Sequence, residues 1–158
     1  MLKIIRGNIL NSDCSHICHQ VNCVSTRAAG VAKSIFEAFP WADVYTSRQA
    51  RGDDTSLFGS ITIHGDPGKA ERQVINIYGQ INPGGPRPGR DSSHSRLEAF
   101  SKALNQIAGL PELKSIGFPH GIGCGLARGD WEEYERLLEG FAYQLATRNV
   151  SVILYQLP

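Results

Sequence analysis

Two stretches of this chain combine a bare backbone with a following helix pattern. "PHGIGCGLARGDW" (119–131) carries glycine at alternate positions, Gly121, Gly123 and Gly125, and "STRAAG" (25–30) runs directly into "VAKSIF". Glycine permits positive φ and close approach of another group to the main chain. Successive main-chain N–H groups in such a bend form a concave anion site, and a helix N-terminus adds partial positive charge. Two such junctions in one domain favour a phosphate-bearing ligand held by backbone, although each is also explained as a tight strand-to-helix connection. Neither fits GxxxxGK[ST], nor GxGxxG with an acidic ribose-binding residue in a βαβ context.

Other reactive side chains cluster at "CSHICHQVNC" (14–23), where Cys14, His16, Cys18, His19 and Cys23 crowd together. The spacing is not a CxxC knuckle, and no second Cys/His pair lies downstream. The expectation is four reduced, partly buried cysteines with no metal. His19 is the candidate proton carrier, because an imidazole with a pKa near neutrality serves as acid or base; a strand histidine bonded to backbone explains it equally. Asp130 reads as a helix cap rather than a carboxylate orienting water. His120, beside the second loop, and His94 and Arg90, in the long loop, read as solvent-facing rather than as contacts to a phosphate or bound ligand.

The elements that must position these groups follow from periodicity. Strands are expected at "LKIIR", "HICHQVN", "GSITIHG", "RQVINIYGQ", "KSIGFP" and "SVILYQL". Helices are expected over "AGVAKSIFEAFP", with Val31, Ile35, Phe36 and Phe39 on one face, and over "WADVYTSRQAR". A third begins with a Ser95–Glu98 capping box ahead of Leu97, Phe100, Leu104 and Ile107, and a fourth is capped by Asp130 with Tyr134, Leu138, Phe141 and Leu145 as its stripe. "QVINIY" and "SVILY" read as strands buried on both faces. "INPGGPRPGRDSS" reads as an exposed, mobile loop. Alternating strands and helices predict one layered α/β domain over residues 1–158. Its ligands would sit at the carboxyl ends of the strands.

At 158 residues with formal net charge +1, nothing argues for nucleic acid or acidic lipid as the main partner. No apolar run is long enough for a bilayer, so an intracellular, soluble protein is expected, cytoplasmic or nuclear.

In order along the chain, "GNIL", "HQVNCVSTRAAGVA", "PHGIGCGLARGDW" and "LYQL" resemble macrodomains. The resemblance is to the branch of the yeast ADP-ribose 1''-phosphate phosphatase, the terminal ADP-ribose protein glycohydrolase and small phage and bacterial relatives. It implies a three-layer α/β/α sandwich with a central mixed sheet and an ADP-ribose cleft. By position, it places Asn8 and Ile9 beside the adenine and Asn22 at the distal ribose. Ala29, Gly30 and Val31 match the first phosphate loop and Gly123, Cys124, Gly125 and Leu126 the second, with Gly121, Ile122 and Ala127 flanking it as further candidate ligand contacts. Leu157 closes over the adenosine end. The protein glycohydrolase uses a lysine and an aspartate where this chain has Gly79-Gln80 and Ala127, so the covalent lysine route is missing. The implied function is a phosphatase converting ADP-ribose 1''-phosphate to ADP-ribose and phosphate, with His19 moving a proton and no cofactor. The alternatives are an ADP-ribose reader, or a hydrolase removing ADP-ribose from modified protein or nucleic acid by a non-lysine route.

Overall fold

A computed structural model describes the whole chain, residues 1–158. Its strands are β1 (Leu2–Arg6), β2 (His16–Val21), β3 (Ile61–His64), β4 (Gln73–Tyr78), β5 (Ser115–Pro119) and β6 (Ser151–Gln156). Its helices are α1 (Gly30–Ala38), α2 (Arg48–Arg51), α3 (Ser93–Ala108) and α4 (Trp131–Ala146). One sheet runs in the order β1-β6-β5-β2-β4-β3. Neighbours pair in parallel except β3, which runs antiparallel to β4. Parallel neighbours require crossovers, and the helices that supply them cover both faces.

Alternation along the strands sends side chains to two separate cores. Cys18, Ile75, Ile77, Phe118 and Leu154 meet Phe100, Leu104 and Ile107 of α3 and Leu138, Phe141 and Leu145 of α4. On the other face Ile17, Val21, Val74 and Tyr78 meet Ile35 and Phe36 of α1 and the segment through Tyr45. Fully burying each large apolar side chain contributes about 1.5–3 kcal/mol. The domain is thus a three-layer α/β/α sandwich on a mixed sheet.

Several local expectations change. Val31 is 48% exposed, and the buried face of α1 is Ala32, Ile35 and Phe36; Val31 sits in the first turn, at the mouth of the cleft described below. The segment after α1 is not one helix. A 3-10 turn at Pro40–Ala42 is separated from α2 by Asp43, whose Oδ1 accepts from the amides of Tyr45 (2.9 Å) and Thr46 (3.2 Å), a side-chain turn that competes with helix. The cap of α3 is Ser92, accepting from Ser95 N at 3.1 Å, while Glu98 pairs with His94 instead. β6 is buried only at alternate positions, Val152 and Leu154, the face that packs on α4. Asp130 does cap α4, accepting from Glu132 N at 3.1 Å.

Candidate functional site

The carboxyl ends of β2, β4 and β5 open onto one cleft with a cavity volume of about 360 Å³. Both glycine-bearing loops line it: Ala29, Gly30 and Val31 from one side, and Gly121, Ile122, Gly123, Gly125, Leu126 and Ala127 from the other. The loops approach closely enough that a Cβ on Gly30 (φ +58°) would lie 3.3 Å from Leu126 Cδ1.

The alternation of glycines in the second loop matches an alternation of hydrogen bonding. The amides of His120, Ile122 and Cys124 donate to the carbonyls of Tyr155 (2.9 Å), Pro119 (3.1 Å) and Gly121 (2.9 Å). The amides of Gly121, Gly123 and Gly125, then Leu126 and Ala127, have no acceptor within the protein. Gly121 and Gly123 have φ of +82° and +78°, so each turns the chain back where an L side chain is strained. At Gly123 a Cβ would also lie 2.7 Å from the Tyr134 ring. Across the cleft, the amides of Gly30, Val31 and Ala32 in the first turn of α1 also lack intrahelical acceptors, as helix geometry requires. Ala29, the cap residue, supplies no side-chain acceptor. Two rows of uncommitted N–H donors therefore border one cavity.

Buried arginines hold the walls. Arg48, 3% exposed, donates to Asp54 Oδ2 (2.9 Å) and to the carbonyls of Asn22 (2.8 Å) and Ser25 (3.0 Å), fixing the first loop. Asn22 lines the cleft, and its Oδ1 accepts from the amides of Val24 (3.0 Å) and Ser25 (2.7 Å). Its own amide donates to Tyr45 Oη at 2.8 Å. Burial is the main force pushing the Tyr45 hydroxyl up to about 12, so it stays protonated. On the opposite wall, Asp91 accepts from Arg96 and from the amides of Ile81 (2.8 Å) and Asn82 (3.0 Å). The proline- and glycine-rich loop expected to be mobile is pinned from within. Burial raises the Asp91 carboxyl, but these donors outweigh it and bring it to about 2.

His19 lies under the cleft floor, 1% exposed. Its Nε2 is 2.6 Å from Asn76 Oδ1, and Asn76 Nδ2 donates to the Ala42 carbonyl at 2.9 Å. That commitment turns Oδ1 toward the ring, so Nε2 carries the proton and Nδ1 the lone pair. Nδ1 has no partner, and neither does Gln20 Oε1. Burial, only partly offset by the Asn76 bond, lowers His19 to about 4. The imidazole is neutral at pH 7.

Not every expected residue reaches the cavity. Asn8 caps the short 3-10 turn Ile9–Asn11 through Leu10 N (3.0 Å), Ile9 is buried in the α1-side core, and Leu157 is 69% exposed. None of the three lines the cavity, nor does Cys124. Burial, then Asp130, pushes the Cys124 thiol up to about 11. The other cysteines are fully rather than partly buried, and they divide between layers, Cys18 in one core and Cys23 in the other. The cluster in the sequence does not converge in space. Conversely, the structure adds Gln20, Ser25, Arg27, Gln80, Gly84 and His120 to the lining. Their shared sequence signal is position at the carboxyl end of a strand or in the loop that follows it. No carboxylate and no lysine lines the cleft.

This sheet order, layering and cleft define the macrodomain fold. Over 98% of this chain and 97% of its own, the macrodomain of Thermus aquaticus DarG superposes with a TM-score of 0.72 at 24% identity. A Trypanosoma brucei macrodomain solved in complex with ADP-ribose superposes with a TM-score of 0.65 at 17% identity, over 99% of this chain and 63% of that one. In sequence, the chain is 26% identical to an uncharacterised 17.5 kDa protein of the tk-vs intergenic region of Enterobacteria phage T4, over 92% of each. No family model matches the chain. No helix is long and apolar enough to cross a membrane.

Proposed function

We propose that this protein binds ADP-ribose in the cleft, with the diphosphate between the two loops. The observation that carries this reading is the pair of uncommitted N–H rows, Gly30–Ala32 on one side and Gly121, Gly123 and Gly125–Ala127 on the other, on one cavity. Backbone donors of this kind suit phosphate oxygens. The ADP-ribose-bound Trypanosoma macrodomain has the same fold, which supports the choice of ligand. Calorimetric titration of the full chain with ADP-ribose tests it: saturable 1:1 heat supports the reading, and no heat at millimolar ligand removes it.

The finer proposal is release of phosphate from ADP-ribose 1''-phosphate. It asks least of the side chains, since main-chain donors can stabilise charge developing on phosphate oxygens. In this proposal water attacks phosphorus as the P–O bond to the 1'' oxygen breaks, the Nδ1 lone pair of His19 takes the water's proton, and that proton passes to the departing oxygen. Nε2–H is held by Asn76, so the neutral ring has no other proton to give. Phosphate release by wild type and His19→Ala, measured beside ADP-ribose affinity, decides it. Turnover lost with affinity kept supports the role; equal turnover removes His19 from the chemistry. The absence of carboxylate and lysine from the lining favours a second reading, binding without turnover, which the same assay would reveal as no phosphate released by wild type.

A further inference from the structure

The N–H donors of the second loop end at Ala127, whose carbonyl is held from outside the loop. Arg96 of α3, 2% exposed, donates to the carbonyls of Ala127 (3.3 Å), Gly84 (2.9 Å), Asn82 (3.1 Å) and Gly85 (3.1 Å), and bidentately to Asp91 (2.8 and 2.9 Å). These six contacts fall on five N–H groups, so one N–H of Nη2 is shared between acceptors; no other side chain carries enough donors to serve four carbonyls and a carboxylate together. Two of those carbonyls have another donor: Gln80 Nε2 reaches Asn82 O at 2.9 Å and Gly84 O at 3.5 Å. Gln80 Oε1 in turn accepts from Gln20 Nε2 at 2.8 Å. An unbroken line of hydrogen bonds thus runs from β2, past the end of β4 and through residues 82–85, to α3 and Ala127. Gln20, Gln80, Gly84 and Ala127 all border the cleft.

We infer that Gln80 and Arg96 act as one strut, positioning residues that lock the 82–85 segment to the second loop. The free amides of Gly123, Gly125, Leu126 and Ala127 are then already aimed before a ligand enters. Preorganised donors bind more tightly because less ordering is needed on association. Gln80 therefore acts by spending its amide protons on the wall rather than by donating them to the ligand. The affinity part of this inference rests on the proposed function; the rigidity part does not.

Backbone amide exchange and ADP-ribose calorimetry on the full chain test it, using wild type, Arg96→Lys, Gln80→Leu and the double variant. Exchange should quicken in residues 82–85 and 125–128 together in each single variant, with residues 22–31 unchanged. Affinity should fall about tenfold in Arg96→Lys and about threefold in Gln80→Leu, and the double variant should be no weaker than Arg96→Lys, because members of one network are not additive. Quickened exchange confined to residues 82–91, or losses that multiply in the double variant, would overturn the strut. If Arg96→Lys does not fold, Gln80→Leu alone decides through whether residues 125–128 respond. If wild type binds no ADP-ribose, the proposed function falls, and the exchange pattern still decides the strut.

Discussion

Asp91 and Arg96 meet through two parallel N–H···O bonds of 2.8 and 2.9 Å, and both side chains are almost wholly enclosed. Breaking such a pair from one side leaves an uncompensated charge and costs about 3–5 kcal/mol. Arg96→Ala is therefore expected to lower the urea unfolding free energy by that amount, whereas Arg90→Ala on the exposed part of the same loop should change it by no more than about 0.5 kcal/mol.

The same carboxylate predicts an acid limb of stability. Its folded pKa of about 2 lies below the ordinary 3.8, so the stabilisation is fully present above pH 4 and is lost as pH falls toward 2. The loss amounts to about 2 kcal/mol. Urea midpoints in this range should fall more steeply for wild type than for Asp91→Asn, whose starting stability is lower.

His19 predicts a separate limb at higher pH. Its folded pKa, about 4, is below the free value of 6.5. The unfolded chain therefore takes up a proton first as pH falls, and stability declines between pH 6.5 and 4 by about 3 kcal/mol. Burial also lowers His16 and His64, and both add in the same direction. His19→Gln should flatten the decline without abolishing it. An NMR titration placing His19 at or above 6 would contradict the assignment.

Neighbouring glycines of the second loop should separate stability from space. Gly123→Ala combines φ +78° with a methyl 2.7 Å from the Tyr134 ring, and about 1–3 kcal/mol of destabilisation is expected. Gly125 has neither positive φ nor any atom within 4 Å of a built Cβ, so Gly125→Ala should leave stability within about 0.5 kcal/mol. Thermal melts of the two variants give the comparison directly.

A layered α/β domain and the pairing of two glycine-bearing loops were legible in the sequence because period and glycine placement are local signals; the three-layer order came from the resemblance. Ile35, Phe36, Leu138 and Phe141 announce their helix faces, and strand ends locate the cleft. The buried arginines were not legible. Nothing in "SHSRLEAF" distinguishes Arg96 from a solvated helix residue, since its partners at Gly84 and Ala127 arrive through tertiary folding. The loop of residues 81–93 looked free for the same reason, its anchor Asp91 being one acidic residue among fifteen. At His19 the residue was visible but its environment was not. Burial and Asn76, 57 positions away, set its protonation state.

Because the donors proposed to hold the anion are peptide N–H groups, no side-chain replacement short of proline removes them; otherwise only a change in the course of the chain does. Such a surface can drift widely in residue identity while its function-bearing shape persists. Proteins sharing it would then be recognised by the trace of two bends more readily than by any conserved string of letters.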